Sequence, residues 1–139
     1  MNISAPPAAA PIWGILMETG YPEATATLLA MSDGTTSLYL SHGGGIIGGE
    51  SHESVRQANA AFIETANGFC QRLKPSQSFP VPEMGHTIFY ALTDSGLLTE
   101  EALENDLGHG HHWLSPLFFA GHEVITQLRL ISEGRDQDG

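Results

Sequence analysis

Residues 24–41, ATATLLAMSDGTTSLYLS, decide the fold. Two apolar runs, 24–31 and 36–41, flank Ser32-Asp33-Gly34-Thr35. Asp-Gly between such runs predicts a hairpin, because a type I′ turn needs positive φ at both central residues and these residue types tolerate it. In the second arm Leu38 and Leu40 share one parity, while Ser37, Tyr39 and Ser41 share the other. Successive strand side chains point to opposite faces, so this arm is expected to be half exposed or nearer an edge.

Working outward, residues 12–18, IWGILME, form a short apolar run ended by Gly20 and Pro22. Its apolar residues occupy both parities, as in a strand covered on both faces. Three consecutive strands make a meander. Downstream, 51–73 reads as a long helix whose stripe is Val55, Ala58, Phe62, Ala66, Phe69 and Leu73. Ser51 is placed to cap it, Glu53 to favour its positive end, Lys74 to suit the other end and Pro75 to stop it. Residues 75–86, with Pro75, Pro80 and Pro82, are expected as a loop, 87–93 as a strand and Asp94-Ser95-Gly96 as a turn.

The next stretch has two readings. Thr99 to Leu107 can be a short helix capped by Thr99, stapled by Leu98 on Leu103 and closed by Gly108. A strand through 97–102, pairing back on 87–93, is the alternative. Ser115-Pro116 opens the last helix, which is predicted to run to about Ile131 with Leu117, Ala120, Val124, Leu128 and Ile131 on one face. The expectation is an α+β domain with an antiparallel sheet of about four to five strands, in two or three layers. A flexible arm is expected over 1–11, the domain over 12–132 and a disordered tail over 133–139. The element order resembles that of profilin-like domains of the roadblock and longin type. The run DGTTSLYLSHGGGIIGG resembles the glycine-rich stretch of small uncharacterised bacterial proteins. Neither resemblance brings site residues with it.

Charge narrows the partners. Sixteen Asp and Glu against five Lys and Arg give a net charge of −11. Nucleic-acid backbones and anionic membranes repel such a surface. One cysteine, Cys70, permits no intrachain disulfide and suits a reducing compartment. The first eleven residues lack the basic and apolar regions of a secretory signal, and no apolar run approaches about 18 residues, so a cytoplasmic location is the expectation.

Three groups of residues could carry function. The loop of Gly43, Gly44, Gly45, Gly48 and Gly49, flanked by His42, Glu50 and His52, joins a strand to a helix N-terminus, as anion sites do. It lacks the Gly-Lys-Ser/Thr of a phosphate-binding P-loop, and Glu50 and Glu53 place negative charge where a phosphate would sit. His109, His111 and His112, with Asp106 or Glu104, have the composition of a surface metal site. Trp113, Phe119 and Leu130 suggest a subunit contact, because Phe119 and Leu130 lie opposite the last helix's core stripe. There is no complete catalytic set and no implied cofactor. The preferred reading is a non-enzymatic module that self-associates as a homodimer or meets a protein partner. A small-molecule or anion site on the glycine loop is the alternative, and a weak metal site in the GHGHH tract is the second.

Overall fold

The hairpin forms as the sequence dictates, with a different loop. The computed structural model describes residues 12–138, with side chains through Glu133, so the arm expected over 1–11 lies outside the described residues. Strands β1 (Gly14–Gly20), β2 (Thr25–Met31) and β3 (Thr36–Leu40) make the expected antiparallel meander. The β2–β3 connection closes through Met31 N–H donating to Thr35 O and Gly34 N–H donating to Met31 O. That is a three-residue loop, and Gly34 takes the left-handed position at φ 101° rather than sharing a two-residue type I′ turn. The Asp33 carboxylate accepts the Thr35 N–H, which holds its pKa below the usual range.

A short β4 (Gly45–Ile46) pairs back on β3, and a 3₁₀ turn over Gly49–Ser51 leads into α1 (Glu53–Phe69). His52 is the N-cap residue, and it makes no side-chain cap bond; Ser51, the expected cap, donates to Gly48 O instead. The expected stripe is largely right: Val55, Ala58, Phe62, Ala66 and Leu73 are buried and Phe69 half-buried. Asn59 and Ile63 join them. A second 3₁₀ turn, Cys70–Arg72, ends the helix before Lys74. Lys74 and Pro75 neither cap nor stop a helix, because Lys74–Ser76 is β5, an edge strand. Proline is tolerated there because an edge residue need not donate to a neighbour.

Strands β6 (His86–Thr93) and β7 (Gly96–Leu103) follow, then α2 (Glu104–Gly108) and α3 (Ser115–Asp138). The two readings of 97–107 divide the segment between them: strand to Leu103, then one helical turn with Leu103, not Thr99, at its N-cap. Backbone pairing across β6 outweighs the local capping signal at Thr99. α3 is assigned through Asp138, beyond Ile131 and over most of the expected tail. The sheet is larger than expected, seven strands in the order β4-β3-β2-β1-β6-β7-β5; β4 and β5, of two and three residues, are too short to announce themselves.

Register shows where the core sits. Met17 pairs with Leu28 and Phe89, Ile15 with Ala30 and Ala91, and Leu28 with Leu38. These side chains share one face and join Phe62, Val124 and Leu128 of the two long helices in one core. Both helices lie on this face, so the domain has two layers. Among the described residues no helix is long and apolar enough to cross a membrane.

Candidate functional site

The glycine loop makes a strand, not a cradle. Gly45 and Ile46 pair with Tyr39 and Leu38, and a side chain at Gly45 would collide with the Leu38 carbonyl. Gly43, Gly44 and Gly48 take positive φ in the turns on either side. Gly49 is buried where α3 approaches; a Cβ there would stand 2.5 Å from Leu128 Cδ2. His42 is exposed, with Nδ1 3.2 Å from Gly43 O. The Glu50 backbone carbonyl accepts from Arg56 Nη1 at 2.8 Å. His42, Glu50 and His52 line neither the cavity at the α2–α3 corner nor the one beside α1.

The histidine tract is spent largely on local structure. His109 Nδ1 donates to Asn105 O at 2.7 Å, while His112 Nδ1 accepts the Leu114 N–H at 3.0 Å. His109 and His111 stack with ring centroids 5.9 Å apart, and Asp106 contributes its carbonyl to the His111 N–H. Among the described residues no three His, Cys, Asp or Glu side chains are grouped to hold a metal ion. Trp113 is not a free surface anchor: it is half-buried, edge-on to Phe69 at 5.7 Å, with the Arg72 guanidinium 4.0 Å above its ring. Phe119 and Leu130 are exposed on α3 as expected.

Two features were not singled out by the sequence. The first is the sheet face away from the helices. Leu29, Leu16 and Tyr90 stand side by side on β2, β1 and β6. In the next row Met31, Leu92 and Leu97 flank Gly14, over which Met31 and Leu92 close; a Cβ there would meet them at 2.8 and 3.0 Å. Among the described residues no helix covers these rows, and Leu16, Leu29, Met31, Leu92 and Leu97 are half-buried. The segment 77–85 crosses only the Tyr90 end. Phe79 packs on the Tyr90 ring at 4.8 Å, Tyr90 Oη donates to Pro80 O, and Gly20 lies so close to the Glu83 carbonyl that no side chain fits. Burial, with the nearby Glu18 and Glu101 carboxylates, pushes the Tyr90 phenol up to about 12. Phe79, Val81 and Met84 of the crossing segment are themselves exposed. A third row, Thr27, Glu18, Ile88 and Glu101, is polar except for the buried Ile88, with His86 Nδ1 in close contact with Glu101 Oε2 at 2.7 Å. The signal for this face was the double-parity apolar pattern of β1, which promised cover on both faces where the helices supply it on one.

The second is a cavity of about 500 Å³ at the α2–α3 corner, lined by Glu104, Asn105, Gly108, His109, Phe118 and His122. The His122 ring lies 4.3 Å from that of Phe118, and its Nε2 is buried without a hydrogen-bond partner. Burial pushes the imidazole below its ordinary pKa. Burial and then the nearby Glu104 carboxylate raise the Tyr21 phenol. A comparable cavity, about 490 Å³, lies between the β2–β3 loop and α1, but its one cation, Arg56, is held by Glu53 at 2.6 Å. His122 lies well round α3 from the Leu117–Val124–Leu128 stripe, and the sequence marks it only as part of a Gly-His-Glu run that does not complete a zinc-binding helix motif.

Comparison with protein-family models, with curated proteins and with solved structures gives no significant match.

Proposed function

We propose that this protein is a non-enzymatic module that self-associates as a homodimer through the helix-free face of its sheet. The observation that carries this reading is the apolar patch of Leu29, Leu16, Met31, Leu92 and Leu97 on adjacent central strands, half-buried and with no helix over it among the described residues; Tyr90, at its border, is covered by Phe79. Central strands with apolar residues on both faces belong to sheets covered on both sides. The edges offer no alternative: β4 has two residues and β5 three, including Pro75, and such short edges blunt strand addition.

A second copy fits this face better than an unlike partner. A two-fold axis through the patch brings apolar rows onto apolar rows and leaves Glu18 and Glu101 at the rim. The two apolar rows run about 13 Å along five central strands at about 4.8 Å spacing, roughly 310 Å² of flat face per subunit. Side-chain relief and the neighbouring Phe79 and Val81 enlarge this, and the interface stays smaller than the ~800 Å² each partner gives to a standard one. Twofold symmetry also sharpens the test, because one substitution enters the interface twice. Leu16→Asp is expected to weaken association about 100-fold or more, since each carboxylate would be buried without a partner. Leu130→Asp, on the outer side of α3, is expected to leave it unchanged. Analytical ultracentrifugation of both variants, with circular dichroism to confirm folding, decides the point. Dissociation by Leu130→Asp but not by Leu16→Asp would move the interface to the helix and overturn the sheet-face reading.

A further inference from the structure

We propose that the cavity between α2 and α3 binds a small organic cation carrying a primary ammonium group, held by the Glu104 carboxylate beside the Phe118 ring. The lining decides the charge of the ligand. Among the described residues Glu104 is the one carboxylate in it, and no lysine or arginine lines it. His109 uses its Nδ1–H on the Asn105 carbonyl, so its Nε2 presents a lone pair. The His122 Nε2 is buried without a partner among the described residues and out of a ligand's reach, so the acceptors on offer are Glu104 and His109. An ammonium has three donors and no acceptor, the complement of such a set. The Phe118 ring also lines the cavity, and aromatic rings attract cations placed within about 6 Å of the centroid.

Wider electrostatics act in the same direction. A chain of net charge −11 concentrates cations at its surface, and a concave site focuses that field. The desolvated His122 is held towards its neutral form, so it does not repel a cation at neutral pH. The site shares no residue with the apolar rows of the sheet, so it stands or falls independently of self-association.

The probe is n-butylammonium, with butanol and butyrate as neutral and anionic partners of the same chain length. In ¹H–¹⁵N spectra of the full chain, millimolar n-butylammonium is expected to shift the amides of Glu104 to His109 and of Phe118 to His122, while butanol and butyrate leave them in place. Glu104→Gln is expected to weaken the effect by about tenfold or more, as loss of a charge-assisted hydrogen bond does. Asp106→Asn removes a nearby carboxylate that does not line the cavity and is expected to change binding less than about twofold. Equal shifts with butanol, equal weakening by the two variants, or no shift up to about 50 mM n-butylammonium would each overturn the proposal.

Discussion

At Gly121 α3 lies close against the rest of the core, and replacing it tests the packing directly. A Cβ at this position would stand 2.7 Å from Met17 Sδ, 2.9 Å from Met17 Cε and 3.1 Å from Phe62 Cε1. Carbon atoms rest at about 3.5–4.0 Å, so the added methyl is short of room by roughly half an ångström to one ångström on two sides. The end of Met17 can swing aside, but the Phe62 ring is fully buried and cannot. Overpacking of this kind costs about 1–3 kcal/mol, while alanine gains about 1 kcal/mol over glycine in a helix. Gly121→Ala is therefore expected to be neutral to destabilising by about 2 kcal/mol. Gly68 supplies the control: it is exposed in the last turn of α1, and a Cβ there meets nothing within 4 Å. Gly68→Ala should stabilise by about 0.5–1 kcal/mol. Because helix propensity largely cancels between the two, their difference in urea denaturation reports the overpacking alone. If Gly121→Ala stabilises the protein as much as Gly68→Ala, α3 does not sit against Phe62 and Met17.

Other consequences can be measured in the same way. Phe62→Ala should cost about 3–5 kcal/mol by opening a cavity in the core, whereas Gln71→Ala, at an exposed position, should cost little; equal losses in thermal melts would refute the α1 assignment. Burial holds the His122 imidazole below the ordinary histidine range, so the unfolded chain binds more protons than the native one as pH falls through about 6.5. Stability should therefore drop on acidification there, and His122→Phe should flatten that part of the pH–melting-temperature profile; an unchanged profile would count against a buried, neutral His122. Zinc titration by calorimetry at pH 7.5 should show no tight site, because among the described residues no three His, Cys, Asp or Glu side chains are grouped to share an ion; tight binding abolished by His109→Ala/His111→Ala would contradict this.

Local pattern carried much of the fold because each long element has a period that only one geometry satisfies. The β2–β3 hairpin, the α1 stripe through Phe62 and the α3 stripe through Val124 all follow from it. What pattern could not give was pairing between distant segments. Lys74 and Pro75 look like the end of a helix, and only the edge of β7 turns them into a strand. Thr99 looks like a cap until β6 claims its backbone. The site was less legible for the same reason. The glycine and histidine runs stand out in the sequence because they are locally dense, yet their polar groups are largely satisfied nearby. Glu104 and His122 meet across the α2–α3 corner, and Leu29 and Leu16 meet across a strand pair; nothing in their sequence neighbourhoods marks either meeting.

The central claim, self-association through the uncovered sheet face, is tested most directly by sedimentation equilibrium of the wild-type chain at micromolar concentration and two salt levels. The monomer mass is 14.9 kDa. The account predicts a mass of twice that value, with tighter association at higher ionic strength, because salt screens the repulsion between two chains of net charge −11 while apolar contact persists. A mass of 14.9 kDa at every concentration and at both salt levels would contradict it.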